Sequence, residues 1–169
     1  MKIILETPRL LLRELTIDDA VYFFGLNANP NVIRYTGDAA FKDIDEAQTF
    51  LQNYKDYKTN GYGRWAVIAK SGGTFLGWCG LKYSKASDET DIGFRFFEQY
   101  WNQGYATESA LACLNYGFNE LELNTIVGRA MEANIGSLRV LEKIGMTYER
   151  EFDFDGADGV IFSIGKTIE

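Results

Sequence analysis

The 169-residue sequence predicts an α+β fold, a mixed α/β arrangement in which about four helices flank a central mixed, twisted sheet of about six to seven strands. Three observations predict it. Runs of aromatic and β-branched residues, bounded by Gly, Pro, Asn and Asp, recur at strand length. Longer segments between them place apolar residues at helical spacing. One junction, residues 91–121, passes from a strand through a short loop ending in Gly104 into a helix. The resulting order is β-α-α-β-β-β-α-β-α-β-β, with no internal repeat or linker. Residues 1–169 are therefore expected to form a single domain.

Residues 7–13 read as the first strand, with Pro8 at an edge where a missing N–H is harmless. A helix follows from Thr16, its cap, to residue 27. Asn29-Pro30-Asn31 is expected to stop it, and residues 32–35 read as a helical turn or a short strand. The next helix spans 43–60. Asp43 and Glu46 form a capping-box-like pair, and Ala47, Phe50, Leu51, Tyr54 and Tyr57 make one face. Residues 64–69 and 75–81 are strands joined by a glycine-bearing hairpin loop, and 84–90 is a polar turn. Beyond the 91–97 strand and its helix lie a strand at 124–130 and a short helix at 134–145. Asn134 caps that helix, Gly145 ends it, and Ile135, Leu138, Leu141 and Ile144 face inward. Strands at 147–154 and 160–164 close the chain around a turn at 155–159. Asp153, Asp155 and Asp158 suggest a calcium loop, but the alternation breaks at Ala157 and no helix follows, so a hairpin turn is expected.

The junction at Gly104 carries chemistry. A helix leaves its first backbone N–H groups unpaired at its positive end, which suits a phosphate. Gly104 permits a φ that other residues avoid, and Ala106 is small enough for close approach. A tight turn into a core helix explains the same glycine. The P-loop lysine and the three spaced glycines of a dinucleotide fingerprint are both missing, so a phosphate here would be held by backbone amides.

Composition removes whole classes of activity. The sequence contains no histidine, which excludes Ser-His-Asp and Cys-His nucleophile schemes and histidine metal sites. A net charge of −7 argues against nucleic-acid binding and suits a cationic partner. Cys79 and Cys113 sit in apolar surroundings without metal-ligand spacing and read as buried free thiols of a reducing cytoplasm. No run is long enough to span a bilayer, and the N-terminus lacks the pattern of a secretory signal. A cytoplasmic protein without a metal is expected, as a monomer or a homodimer.

Three segments in register carry a family resemblance. They are Glu6-Thr7-Pro8-Arg9-Leu10-Leu11-Leu12-Arg13 with Asp18-Asp19 behind it, then Ile92-Gly93-Phe94 with Tyr100-Trp101-Asn102-Gln103-Gly104-Tyr105-Ala106-Thr107-Glu108, and then Asn134-x-x-Ser137-x-x-x-Leu141-Glu142-Lys143-x-Gly145-Met146. The chain resembles the GNAT superfamily of acyl-CoA N-acyltransferases, over roughly residues 5–163. Within it, the chain is similar to the RimJ/RimL branch, named for enzymes that acetylate the N-termini of ribosomal proteins. Asn102 departs from a frequent glycine, and Trp101 occupies the first motif position.

The resemblance implies a splayed central pair of strands with the pantetheine arm of acetyl-CoA in the gap. The arm would pair with backbone near Phe94 and Phe96, and the diphosphate would rest on amides of Asn102, Gln103, Gly104, Tyr105, Ala106 and Thr107. Asn134 would bond the arm, and Ser137 would protonate the leaving thiolate; a plain helix cap and an idle serine are the alternatives. Arg139 and Lys143 either meet the 3′-phosphate or form a solvated face. Asp91 is the expected base or amine anchor, with Glu89 as the alternative, and a backbone N–H at Phe94 would meet the oxyanion. Neither cysteine has a visible activating partner, so direct transfer from acetyl-CoA to a primary amine is expected. The acceptor is either a protein or peptide N-terminus or a small amine such as a polyamine or aminoglycoside. A non-catalytic acyl-CoA-binding module is the reading from another class.

Overall fold

A computed structural model describes residues 2–168. Its strands are β1 (Ile3–Glu6), β2 (Leu10–Glu14), β3 (Arg64–Ala69), β4 (Phe75–Ser84), β5 (Glu89–Phe96), β6 (Thr125–Met131), β7 (Thr147–Phe154) and β8 (Ala157–Gly165). Its helices are α1 (Ala20–Ala28), α2 (Pro30–Ile33), α3 (Ile44–Gln52), α4 (Asp56–Asn60), α5 (Tyr105–Asn119) and α6 (Ile135–Lys143). All eight strands form one mixed sheet in the order β1-β2-β3-β4-β5-β6-β8-β7. Among the described residues, no helix is long and apolar enough to cross a membrane.

The expected class holds, with more and shorter pieces. The strand expected at 7–13 is instead a hairpin. Thr7 Oγ1 accepts the Leu10 N–H at 3.0 Å while the Thr7 N–H donates to the Leu10 carbonyl, so the chain turns before β2 begins. Pro30 does not simply stop a helix. It opens α2, with Asn29 Oδ1 accepting the Asn31 N–H at 2.9 Å. The helix expected over 43–60 breaks into α3 and α4. Here tertiary demand overrides period: the Tyr54 hydroxyl accepts the Arg64 N–H at 2.7 Å, and the Tyr57 hydroxyl joins Leu15 N to the Arg64 carbonyl. Burial raises the pKa of both phenols. The polar turn expected at 84–90 shrinks to residues 85–88, and β8 starts at Ala157 rather than 160. Asp155 and Gly156, with φ of 49° and 89°, make a two-residue type I′ turn, and Asp153 Oδ1 accepts the Gly156 N–H at 3.0 Å.

Strand alternation feeds two apolar layers. On one face, Trp65, Val67, Leu81 and Ile92 pack under α5 and α6 with Ala110, Leu114 and Leu141. On the other, Ala66 and Phe75 pack under α1 and α3 with Phe23, Leu26 and Leu51. Cys79 and Cys113 are fully buried in the first layer, their Sγ atoms 3.8 Å apart.

One irregularity positions the site. β5 pairs antiparallel with β4 along its whole length, from Ser84↔Glu89 to Gly77↔Phe96. With β6 it pairs in parallel only at Asp91↔Val127 and Ile92↔Gly128. Beyond Ile92 the two strands part.

Arg13 and Asp19 lock the first hairpin to the start of α1. Asp19, 2% exposed, receives Arg13 Nη1 at 2.8 Å and Nη2 at 2.7 Å, and its Oδ2 also accepts the Thr16 N–H. These bonds raise the pKa of the guanidinium. Asp19→Ala leaves Arg13 unpaired in the interior and is expected to cost about 3 to 5 kcal/mol in urea unfolding; a loss below ~1 kcal/mol would contradict this account.

Candidate active site

Because peptides are trans, adjacent C=O and N–H groups of a strand point to opposite sides. The Phe97 N–H donates to the Leu76 carbonyl on the β4 side, so the Phe96 C=O faces the gap. By the same alternation the Phe96 N–H and both backbone groups of Phe94 also face it. The Phe96 C=O is already occupied, since Trp101 Nε1 donates to it at 2.9 Å. A cavity of about 390 Å³ opens along this edge, lined by Phe94, Phe96, Trp101, Asn102, Tyr105, Ala106, Asn134, Ser137 and residues of α2.

The loop before α5 is exposed and tightly braced. Asn102 and Gly104 both take left-handed φ, 59° and 82°, which turns the chain sharply into the helix. Among the described residues no side chain caps α5, so its first-turn N–H groups stay unsatisfied. Gln103 Nε2 donates to the Gln99 carbonyl at 3.0 Å. Arg9, from the first hairpin, donates through Nη1 to the Gln103 carbonyl at 3.0 Å and through Nε to Glu108 Oε2 at 2.6 Å. Glu108 Oε1 receives the Thr7 hydroxyl at 2.6 Å and the Arg9 N–H at 3.1 Å. Burial alone would raise the pKa of this carboxyl, but the Thr7 and Arg9 bonds outweigh it and hold Glu108 below its ordinary value.

On the opposite sheet face lies a larger groove of about 1280 Å³, running from Phe23 and Phe50 past Trp78 to Phe152 and Phe154. It meets the first cavity at Tyr35, Thr36, Phe94, Arg95, Asn134 and Ser137, which line both. Its rims approach where Gly37, after α2, packs against Phe154 and Asp155. A ladder of ion pairs crosses its floor. Asp91 Oδ1 receives Arg64 Nη2 at 2.6 Å and Oδ2 receives Arg129 Nη1 at 2.8 Å. Arg129 Nη2 and Arg150 Nη2 then reach Glu89 Oε1 at 2.8 and 2.9 Å. A side chain at Gly93 would put Cβ 2.5 Å from Arg64 Nη2, so Gly93 is what lets the guanidinium lie across β5. Arg95 bonds Asn27 and Asp38 at 2.8 Å each.

The structure thus brings together Phe94, Phe96, Asn102, Tyr105, Ala106, Asn134 and Ser137 around one cavity, with Gln103, Gly104 and Thr107 in the adjoining loop and first turn. Asn134 Oδ1 accepts the Ser137 N–H at 3.3 Å, the cap expected of it. Asp91 and Glu89 lie in the other groove, their oxygens engaged by arginines, and Arg139 and Lys143 line neither cavity. Sequence reasoning missed Trp101 as a donor to β5, Arg9 and Glu108 as a brace, and Tyr35 and Thr36 at the junction. Only the brace left a signal, in the Thr7-Pro8-Arg9 motif.

A strand edge freed from its neighbour therefore runs beside the uncapped N-terminus of α5. The model of the acetyltransferase (GNAT) domain matches residues 9–147, and the chain belongs to this family. It is an acetyl-CoA-dependent acetyltransferase. It is 36% identical over 150 residues to the uncharacterized protein YkkB of Bacillus subtilis (strain 168), covering 86% of each chain. It is 31% identical over 159 residues to the FsC-acetyl coenzyme A-N(2)-transacetylase of Aspergillus fumigatus, covering 88% of this chain and 66% of that one. Among solved structures, a GNAT-family acetyltransferase from Bacillus anthracis aligns with a TM-score of 0.81 at 28% identity, covering 98% of both chains.

A carboxyl held below its ordinary value stabilises the fold above that value and loses the contribution as pH falls through the folded one. Glu108→Gln is therefore expected to lower the melting temperature at pH 7. The deficit should shrink as pH falls below about 4.3, and a deficit independent of pH would exclude the ionised carboxylate as its cause.

Proposed function

We propose that the protein transfers the acetyl group of acetyl-CoA directly to a primary amine, and that the acceptor is the N-terminal amine of a peptide or protein, as in the RimJ/RimL-like branch. The observation that carries this is the meeting of two cavities at Phe94, Asn134 and Ser137, where β5 leaves β6. The narrower cavity suits the pantetheine arm, which would bond the free backbone groups of Phe94 and Phe96. The diphosphate would rest on the amides from Asn102 to Thr107, where the helix is uncapped and the loop turns left-handed. The groove of about 1280 Å³ receives the acceptor and exceeds the roughly 300 to 1,000 Å³ of typical small-molecule pockets. That size favours an amine at the end of an extended chain. The Aspergillus relative, whose name specifies acetyl coenzyme A and an N(2) acceptor, supports nitrogen as the nucleophile.

In this reading the amine is bound neutral. The groove is lined by as many acids (Asp38, Glu89, Asp91, Asp153, Asp155) as bases (Arg64, Lys82, Arg95, Arg129, Arg150). The floor carboxylates Asp91 and Glu89 are already engaged by arginines, which leaves neither free to hold an ammonium. Asp91 holds two guanidiniums and acts as architecture rather than as base. The lone pair of the neutral amine attacks the thioester carbonyl, and the oxyanion is met by the Phe94 N–H. Once the C–N bond has formed, the nitrogen gives its extra proton to water in the open groove. The collapsing intermediate expels the thiolate, which takes a proton from Ser137, and the serine hydroxyl is restored from the same water.

Ser137→Ala is expected to lower turnover about a hundredfold while leaving the Kd for acetyl-CoA within threefold of wild type; unchanged turnover removes Ser137 from the reaction. Asp91→Asn should lower thermal stability and leave the pH–rate profile in place, whereas a displaced profile would return Asp91 to the role of base. A thiol-release screen against peptide N-termini, polyamines and aminoglycosides tests the acceptor. Preference for a polyamine would overturn the peptide assignment, and thiol release with none of these amines would favour a binding module.

A further inference from the structure

Resting on the reading that the first turn of α5 receives the diphosphate, we infer that Arg9 is itself a phosphate-binding residue of this site. A guanidinium carries five N–H donors in a fixed plane. Arg9 commits Nε to Glu108 and one Nη1 hydrogen to the Gln103 carbonyl. Among the described residues its Nη2 makes no hydrogen bond, and it stands 3.2 Å from where a Cβ on Gly104 would lie, at the residue that opens the helix. The guanidinium carbon sits 4.5 Å from the centroid of the Tyr105 ring, which limits its swing, and the side chain remains 46% exposed. Three free donors, two of them on Nη2, are thus held beside Gly104 where the helix opens.

The charges explain why an arginine is required there. Glu108, in the first turn of α5, would by itself repel an incoming diphosphate. Bonded to Arg9 it is neutralised, and the positive end of the helix is left for the ligand. A lysine could not serve the carboxylate, the Gln103 carbonyl and a phosphate together, because its donors radiate from one atom and do not form a fork. The Thr7-Pro8-Arg9 turn, nearly a hundred residues earlier in the chain, is in this account part of the coenzyme site.

The test compares Kd values, by calorimetry and ligand-induced thermal shift, for coenzyme A and for phosphate-free pantetheine. Wild type should strongly prefer coenzyme A. Arg9→Ala should cut that preference by roughly tenfold or more, the worth of one charge-assisted hydrogen bond, and should flatten its dependence on salt. Glu108→Gln, which removes the carboxylate that would repel a diphosphate but keeps the cation, should not lower the preference. Should Arg9→Ala not fold, Arg9→Lys is read instead, and a similar loss is expected. A substituted Arg9 with undiminished preference overturns the inference and leaves the cradle standing. Equal losses in the Arg9 and Glu108 variants also overturn it, because Arg9 would then act only through the loop. A wild type that does not distinguish the two ligands would instead sink the cradle itself.

Discussion

Two residue pairs of parallel ladder hold β5 to β6, and the rest of the site follows from how soon that ladder ends. A strand interior to a sheet normally has both edges satisfied, and leaving backbone donors and acceptors unpaired is costly once they are buried. Here the cost falls on Phe94 and Phe96, whose gap-facing groups have no strand opposite them. The neighbouring elements keep the separation in place. Arg64 and Arg129 clasp Asp91 from either side at the base of the gap, where the last paired residues lie. On the other edge, β4 follows β5 all the way to Phe96. β5 is therefore pinned along one side and free along half of the other.

Net charge and local charge point different ways in this molecule. The chain carries −7, yet the larger groove is lined by five acidic and five basic side chains, and arginines and carboxylates alternate along its floor. Further acid stands on the exposed edge strand β7 at Glu149 and Glu151. A row of carboxylates on a terminal strand discourages pairing with another sheet, so part of the overall charge serves solubility. A global sum does not predict which charge an incoming amine meets first.

What could be read from the sequence was what neighbours in the chain decide. Caps, turns and periodicity gave Asn134, Gly104, the buried Ala47 and Leu51 of α3 and the hairpin at Asp155-Gly156, because each depends on residues within four positions. Phe50, expected on the same face of α3, is exposed. Phe94, Asn134 and Ser137, which the resemblance assigns to one site, line one cavity. The rest lay beyond local reach. Arg9 finds Glu108 across 99 positions, Arg95 finds Asn27 across 68, and Arg64 finds Asp91 across 27. Tyr54 and Tyr57 obey a helical period, yet the hydroxyl demands of the start of β3 divide their helix. Asp91 stands where an acid is expected, but its partners sit on β3 and β6, which no spacing rule reveals.

The indole of Trp101 has a consequence for measurement along the strand. A ligand lying in the gap imitates a missing strand, and an imitation strand is free to slip by two residues without turning its faces over. With one lone pair of the Phe96 carbonyl committed to the Trp101 N–H, a ligand docked at that position would have to share its acceptor. In the proposed docking the tryptophan would work as an end-stop on a ruler whose divisions are peptide units, setting how far a long flexible arm advances before its tip reaches α6.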